Sequence, residues 1–130
     1  MTQQDKELLL VDLCARLPYG VIIQEYNEEY GYSDNALNTI GIGYFSIHEA
    51  CIEGTWINHI ENIRPYLRPV SSMTKEERKE FKHIAPGISV IDGILIPNIP
   101  QVDWLNAHHF DFRNLIDKGL AIDCTNLNIY

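Results

Sequence analysis

The first twenty residues carry apolar side chains at helical spacing. These apolar positions lie three and four residues apart, at Leu10, Leu13, Cys14 and Leu17. Thr2 can cap the first turn, and Pro18 followed by Gly20 ends the pattern. The spacing therefore predicts an N-terminal helix that begins after Thr2 and ends near Leu17.

Runs rich in β-branched and aromatic residues follow this helix. They read "GVIIQEY" (20–26), "NTIGIGYFSIH" (38–48) and "ACIEGTWINHI" (50–60), and the turn-rich "NEEYGYSDN" separates the first two. Such runs predict a meander of about three to five antiparallel strands. A sheet of this size could curl into an SH3-like barrel.

The next segment indicates an extended stretch and then a helix. Pro65 and Pro69 favour extended backbone in "IRPYLRP". Thr74 and Glu77 have the spacing of a capping box, which predicts a short polar helix that Phe81 would anchor in the core.

The C-terminal third contains more turn and capping signals. "SVIDGILIP" (89–97) predicts either a small Asp-Gly hairpin or one kinked strand. Pro100 suits the first turn of a further helix, and Asp111 can cap a second short one. Gly119 followed by Leu120 is typical of a Schellman stop, in which glycine takes a positive φ.

These elements together predict an α+β fold. We expect a small antiparallel sheet with an N-terminal helix and two or three short C-terminal helices. The chain has 130 residues, 45% of them hydrophobic, so residues 1–130 should form one domain with its own core. No apolar run approaches the ~20 residues that a membrane span requires.

The cysteines and the N-terminus favour the cytoplasm. Cys14, Cys51 and Cys124 are odd in number, widely spaced and without a C-x-x-C pair, which makes a poor disulfide framework and a poor zinc site. We expect Cys14 and Cys124 to be small buried hydrophobic residues. The N-terminus also lacks the basic start and unbroken apolar block of a signal peptide.

The charge distribution favours a basic partner over nucleic acid. The net charge is −8, and residues 1–35 hold seven acidic side chains against Lys6 and Arg16. A phosphate backbone would be repelled by most of this surface, whereas a basic protein would be attracted to it. One basic alternative remains, in which Arg64, Arg68 and the Lys75–Lys82 helix contact nucleic acid and Tyr66 stacks on a base.

The segment "DWLNAHHFDFRNLIDKGLAI" (103–122) contains the strongest candidate for a metal or catalytic site. His109 and Asp111 supply two of the three ligands of a 2-His-1-carboxylate iron site, but no histidine follows Asp111. Adjacent histidines on a helix point about 100° apart, so His108 and His109 are poorly placed to bind one metal. We therefore expect no metal ligand, catalytic residue or cofactor here, and a small metal-dependent enzyme centred on His108, His109 and Asp111 is the alternative.

The segment "QEYNEEYGY" (24–32) is the candidate partner-binding site. Tyrosines offer large rigid contacts and carboxylates select a basic partner. The predicted binding residues are Glu25, Tyr26, Glu28, Glu29, Tyr30 and Tyr32. Two interpretations are open: a recognition loop, or a solvated hairpin tip whose tyrosines fold back onto the sheet. The first makes the protein a cytoplasmic binding protein rather than an enzyme.

Three blocks of the chain resemble a known group of proteins. They are "LCARLPYG" (13–20), "IRPYLRPVSSMTKEE" (63–77) and "DWLNAHHFDFRNLIDKGLAI" (103–122). In this order they are similar to a family of short, acidic, uncharacterised proteins from gut anaerobic bacteria and their phages. The resemblance implies no activity, cofactor or catalytic residue. It implies an accessory gene of a prophage or mobile element.

Overall fold

The computed structural model describes residues 1–36, 60–84, 89–91, 94–96 and 98–130. The runs 38–48 and 50–60, which we predict as strands, lie outside these residues except for Ile60. The helices are α1 (Gln3–Arg16), α2 (Lys75–Ile84) and α3 (Ile99–Ala107). The strands are β1 (Ile22–Asn27), β2 (Gly31–Ala36), β3 (Ile63–Pro69), β4 (Ser89–Ile91), β5 (Ile94–Ile96), β6 (Phe110–Asp111) and β7 (Ile122–Asp123). The α+β class is thereby confirmed.

The main sheet is mixed rather than wholly antiparallel. Strand β1 pairs antiparallel with β2 on one side and with β3 on the other, whereas β6 and β7 both pair parallel with β3. Parallel pairing requires a long crossover, which α2 and α3 provide between β3 and β6. Strands β4 and β5 form a separate antiparallel hairpin, as one of the two predictions for residues 89–97 has it.

Helix α1 begins and ends close to its predicted bounds. The backbone N–H of Asp5 donates to Thr2 Oγ1 (3.0 Å), and the N–H of Thr2 donates to Asp5 Oδ2 (3.2 Å). These hydrogen bonds lower the pKa of the Asp5 carboxyl. Beyond the helix, Gly20 takes a φ of 71° after a short 3₁₀ turn that contains Pro18.

The buried face of α1 differs from the predicted stripe. Leu9, Asp12, Leu13 and Arg16 are buried, whereas Cys14 is exposed and the prediction that it is buried is wrong. The physical reason is that Asp12 and Arg16 neutralise each other and so occupy core positions that a hydrophobic pattern assigns to apolar residues. The corresponding prediction for Cys124 is confirmed, since that side chain is buried.

The core consists of two clusters. The first packs α1 against β1, β3 and the C-terminal turn through Leu9, Leu13, Leu17, Val21, Ile23, Ile60, Ile63, Leu67, Leu115, Leu120 and Ala121. The second packs α2 against α3 and β6 through Met73, Phe81, Trp104, Leu105 and Phe110. None of the helices in the described ranges combines the length and the apolar character of a membrane span.

A buried carboxylate connects α1 to the segment after α3. Asp12 accepts from Arg16 Nε and from Arg113 Nη1, each at 2.7 Å, and its side chain is fully buried. The Nη2 group of Arg16 donates to the carbonyl of Phe110 at 2.7 Å. Helix α1 and strand β6 are therefore held in one fixed arrangement.

Removing the charge of Asp12 should destabilise the protein strongly. In Asp12→Asn, the buried Arg16 and the partly buried Arg113 lose their shared counter-charge, and breaking a buried ion pair in this way costs about 3 kcal/mol or more. Lys6→Ala is the matched control on the same helix, because the Lys6–Glu61 pair (3.0 Å) is partly exposed and should contribute less than ~1 kcal/mol. Urea unfolding measures both, and equal losses would contradict the prediction.

The predicted turn at Gly119 is confirmed, whereas the short helix predicted after Asp111 is wrong. Asp111 accepts from the N–H groups of Leu115 and Ile116, both at 2.9 Å, but residues 115–119 make turns only. Asn114, three residues after Asp111, has a φ of 60°, and this left-handed conformation interrupts a helical backbone. Gly119 has a φ of 73°, and the N–H of Leu120 donates to the carbonyl of Leu115 at 2.8 Å, as a Schellman motif requires.

Gly119→Val should lower the unfolding free energy by about 1 kcal/mol or more, because a β-branched residue is penalised at positive φ. A Cβ atom here would meet no other atom within 4 Å, so the loss is conformational rather than steric. Gly119→Asn is the control, since asparagine tolerates this conformation better. Thermal and urea unfolding of both variants test the prediction, which equal stabilities would contradict.

Candidate functional site

The predicted recognition loop is the tip of the β1–β2 hairpin. Tyr26 pairs with Tyr32 and Asn27 with Gly31, so the two tyrosines lie on strands and only residues 28–30 form the turn. Asn27 Oδ1 accepts from the N–H of Glu29 (2.8 Å) and from the next N–H (3.2 Å), and Gly31 has a φ of 75°. Asparagine at the start and glycine at the end are the residues that such a turn favours.

The tyrosines of the hairpin point into solvent. Tyr30 is 80% exposed, Tyr32 71% and Tyr26 40%. The rings of Tyr26 and Tyr32 contact each other, with centroids 5.0 Å apart and planes tilted by 55°. Tyr30 and Tyr32 therefore do not fold back onto the sheet.

The glutamates of the hairpin line a concavity together with Tyr26. This open concavity of about 640 Å³ is lined by Glu25, Tyr26, Asn27, Glu28, Glu29 and Asn62. All ten Lys and Arg residues of the chain are among the described residues, and their ion pairs do not include Glu28 or Glu29. This concavity is consequently negative and presents carboxylates that a ligand cation can approach.

A smaller cleft adjoins this concavity and shares Tyr26 and Asn62 with it. Its volume is about 130 Å³, and it is lined by Gln24, Tyr26, Tyr32, Glu61, Asn62 and Arg64. Strand β3 brings Arg64 here, because Gln24 and Arg64 are register partners. Sequence reasoning missed the place of Asn62 and Arg64 in this site, since strand pairing between distant segments leaves no local signal.

A hydrogen-bond network supports the base of the hairpin. Tyr66 of β3 is buried, and its hydroxyl donates to Asp34 Oδ1 of β2 (2.8 Å) and accepts from Gln24 Nε2 of β1 (3.3 Å). Burial and the hydrogen bond to Asp34 raise the pKa of Tyr66. One side chain thus connects all three strands beneath the exposed tyrosines.

Two of the groups suggested for nucleic acid are engaged within the protein. Tyr66 is too buried to stack on a base. Arg68 donates two hydrogen bonds to Glu77 (2.9 and 2.7 Å) and lies over the Phe110 ring at 4.2 Å. The guanidinium of Arg68 lowers the pKa of Glu77 to about 2. Of these groups, Arg64 and the exposed cations of α2 remain open to a ligand.

The histidine segment forms structural contacts. His108 Nδ1 lies 2.8 Å from the carbonyl of Trp104, as expected for a histidine at the end of a helix, and the two rings stack. Asp111 uses both carboxylate oxygens for backbone N–H groups. Across the described ranges, no three His, Cys, Asp or Glu side chains are grouped to hold a metal ion. From the sequence, His48, His59 or His83 could approach His109; His48 and His59 lie outside those ranges, and His83 forms no such group there.

His109 lies under the last residue of the chain. Its ring stacks on Tyr130 with centroids 3.5 Å apart and planes 9° apart. The Tyr130 hydroxyl accepts from the N–H of Ile22 (2.9 Å) and donates to the carbonyl of Tyr66 (2.9 Å). Burial lowers the pKa of His109 to about 4, and the nearby Arg16 disfavours the charged ring further.

This low pKa predicts acid sensitivity between pH 6.5 and 4. The unfolded chain binds a proton at His109 near pH 6.5, whereas the folded protein binds it only near pH 4. Stability should therefore fall across this window by at most about 3 kcal/mol, and by less because the ring is partly exposed, and the loss from this group should level off below pH 4. His109→Phe keeps a flat ring against Tyr130 but cannot titrate, so it should flatten this part of the profile.

Urea unfolding at a series of pH values measures the effect. Glu77→Gln is the control, because the Glu77 contribution to stability is complete above pH 4.5 and is lost only as the pH falls from about 4.5 to its folded pKa of about 2. A slope between pH 6.5 and 4 that persists in His109→Phe would contradict the assignment.

Comparison with known proteins yields no match to this chain, whether among protein-family models, curated proteins or solved structures. The resemblance to short acidic proteins of gut anaerobes and phages therefore stays a prediction from three sequence blocks. The hairpin is therefore the part of the molecule from which a function can be proposed.

Proposed function

We propose that the protein is a cytoplasmic accessory protein that binds a basic protein partner through the tip of the β1–β2 hairpin. The observation that carries the proposal is the exposure, on one hairpin, of Tyr30, Tyr32 and two glutamates that form no ion pair with the described residues. The resemblance described above implies that the gene belongs to a prophage or mobile element, and we include this origin in the proposal.

The tyrosines would supply most of the binding energy. A tyrosine buries a large rigid surface and loses little side-chain entropy, so exposed tyrosines are favoured at recognition surfaces. Tyr30 has 80% of its surface exposed in the free protein and stands at the turn, where a partner can enclose it. Tyr26 and Tyr32 already contact each other, so this pair is partly preorganised.

The carboxylates would select and steer the partner. Glu28 and Glu29 add to a net charge of −8, which attracts a basic protein over distances comparable to the Debye length. Such attraction chiefly raises the association rate, whereas loss of a packed anchor chiefly raises the dissociation rate. The two groups of residues therefore have separable kinetic roles.

The experiment begins with affinity capture from host lysate by the wild-type protein and by Glu28→Lys/Glu29→Lys. A control variant, Glu76→Lys/Glu80→Lys, makes the same change in net charge on the exposed face of α2. The partner should be captured by wild type and by the α2 control and lost from the hairpin variant. Equal capture by all three would contradict the proposal.

Kinetics with the captured partner then separate charge from packing. The hairpin charge variant should associate several-fold more slowly, and added salt should reduce this difference. Tyr30→Ala should instead raise the dissociation rate with little salt dependence. Both variants should melt within about 1 °C of wild type, because exposed groups contribute little to stability. A destabilised Tyr30→Ala that binds normally would refute the proposal.

A further inference from the structure

Arg64 is an isolated cation in an acidic neighbourhood. Its side chain is exposed, and within the described residues its guanidinium forms no ion pair and donates no hydrogen bond. Glu61 lines the same cleft, but its carboxylate is bound to Lys6 at 3.0 Å. The positive charge of Arg64 is therefore left for a ligand.

Arg64 lies directly beside the acidic concavity of the proposed binding site. Tyr26 and Asn62 line both the concavity that contains Glu28 and Glu29 and the cleft that contains Arg64. The surface is consequently bipolar, with carboxylates in the concavity and a guanidinium in the adjoining cleft. A purely basic ligand would fit the first and be repelled by the second.

The sheet register fixes the spacing of this arrangement. Arg64 pairs with Gln24, and Tyr26 lies two residues further along β1, so Arg64 and Tyr26 are diagonal neighbours on one face. Such neighbours lie about 7–8 Å apart, which matches the ~7 Å between residues i and i+2 of an extended peptide.

Resting on the proposed function, we propose that the partner is recognised through an extended segment in which an Arg or Lys and an Asp or Glu are separated by one residue. The basic side chain enters the acidic concavity and lies against the Tyr26 ring, a contact that favours a cation. The acidic side chain, on the same face of the segment, pairs with Arg64, whose guanidinium can bind a carboxylate through two hydrogen bonds.

The probes are two synthetic peptides, acetyl-Gly-Ser-Arg-Ser-Asp-Ser-Gly-amide and the same peptide with Asn in place of Asp. NMR titration follows the amides of the hairpin and yields both dissociation constants. The wild-type protein should bind the Asp peptide about fivefold more tightly than the Asn peptide, the effect of one exposed ion pair.

Arg64→Gln should remove this discrimination and leave the Asn peptide bound as well as before or better, because a repulsive charge has gone. Arg78→Gln is the matched control: Arg78 is an exposed arginine on α2, away from the cleft, and its loss should leave the fivefold preference intact. The amide spectra of both variants also report whether the fold is retained.

Three other results would contradict part or all of the proposal. A wild-type protein that binds both peptides equally, or prefers the Asn peptide, overturns the bipolar motif and leaves the proposed function standing. Discrimination that survives in Arg64→Gln assigns the carboxylate to another group and overturns the role of Arg64. If neither peptide shifts the hairpin amides, the bipolar motif and basic recognition by the hairpin both fail.

Discussion

The arrangement of this molecule depends on one buried carboxylate. Asp12 accepts from Arg16 on its own helix and from Arg113 beyond α3, and Arg16 also donates to the carbonyl of Phe110. Burying these charges costs desolvation energy that apolar side chains would not incur, so the network is a poor source of net stability. Its effect is positional: α1 can pack on the sheet only where the two guanidinium groups meet the carboxylate.

The consequences of this contact extend to the hairpin. The carbonyl that Arg16 binds belongs to β6, and the N–H of Arg68 in β3 donates to the carbonyl of His109 next to it at 2.8 Å. Strand β3 is then the neighbour on which β1 aligns, and Tyr66 of β3 connects β1 to β2. The strands that carry the exposed tyrosines are therefore held in place by a chain of contacts that begins in the core.

Local signals predicted the elements that local interactions stabilise. The capping pair of Thr74 and Glu77 is present, with hydrogen bonds of 3.1 Å in both directions, and Gly119 has the expected positive φ. The candidate hairpin residues were also found from the sequence, because tyrosines and glutamates around a turn are adjacent in the chain.

What could not be predicted depends on distant residues. The face of α1 that is buried follows from Arg113, without which Asp12 and Arg16 look like solvated polar positions. Strands β6 and β7 have two residues each, too few to show a period, and only their pairing with β3 defines them. Arg64 likewise joins the site through its register with Gln24.

The long reach of these contacts also has a consequence for the order of folding. Arg113 lies 101 positions from Asp12, and the Tyr130 hydroxyl lies 108 positions from the Ile22 N–H that it binds. During synthesis, which proceeds from the N-terminus, Asp12 can pair only with Arg16 of its own helix until Arg113, about a hundred residues later, is available. Closing loops of this size is slow, so we expect the hairpin tip, which local contacts stabilise, to form before the long-range contacts that fix its base.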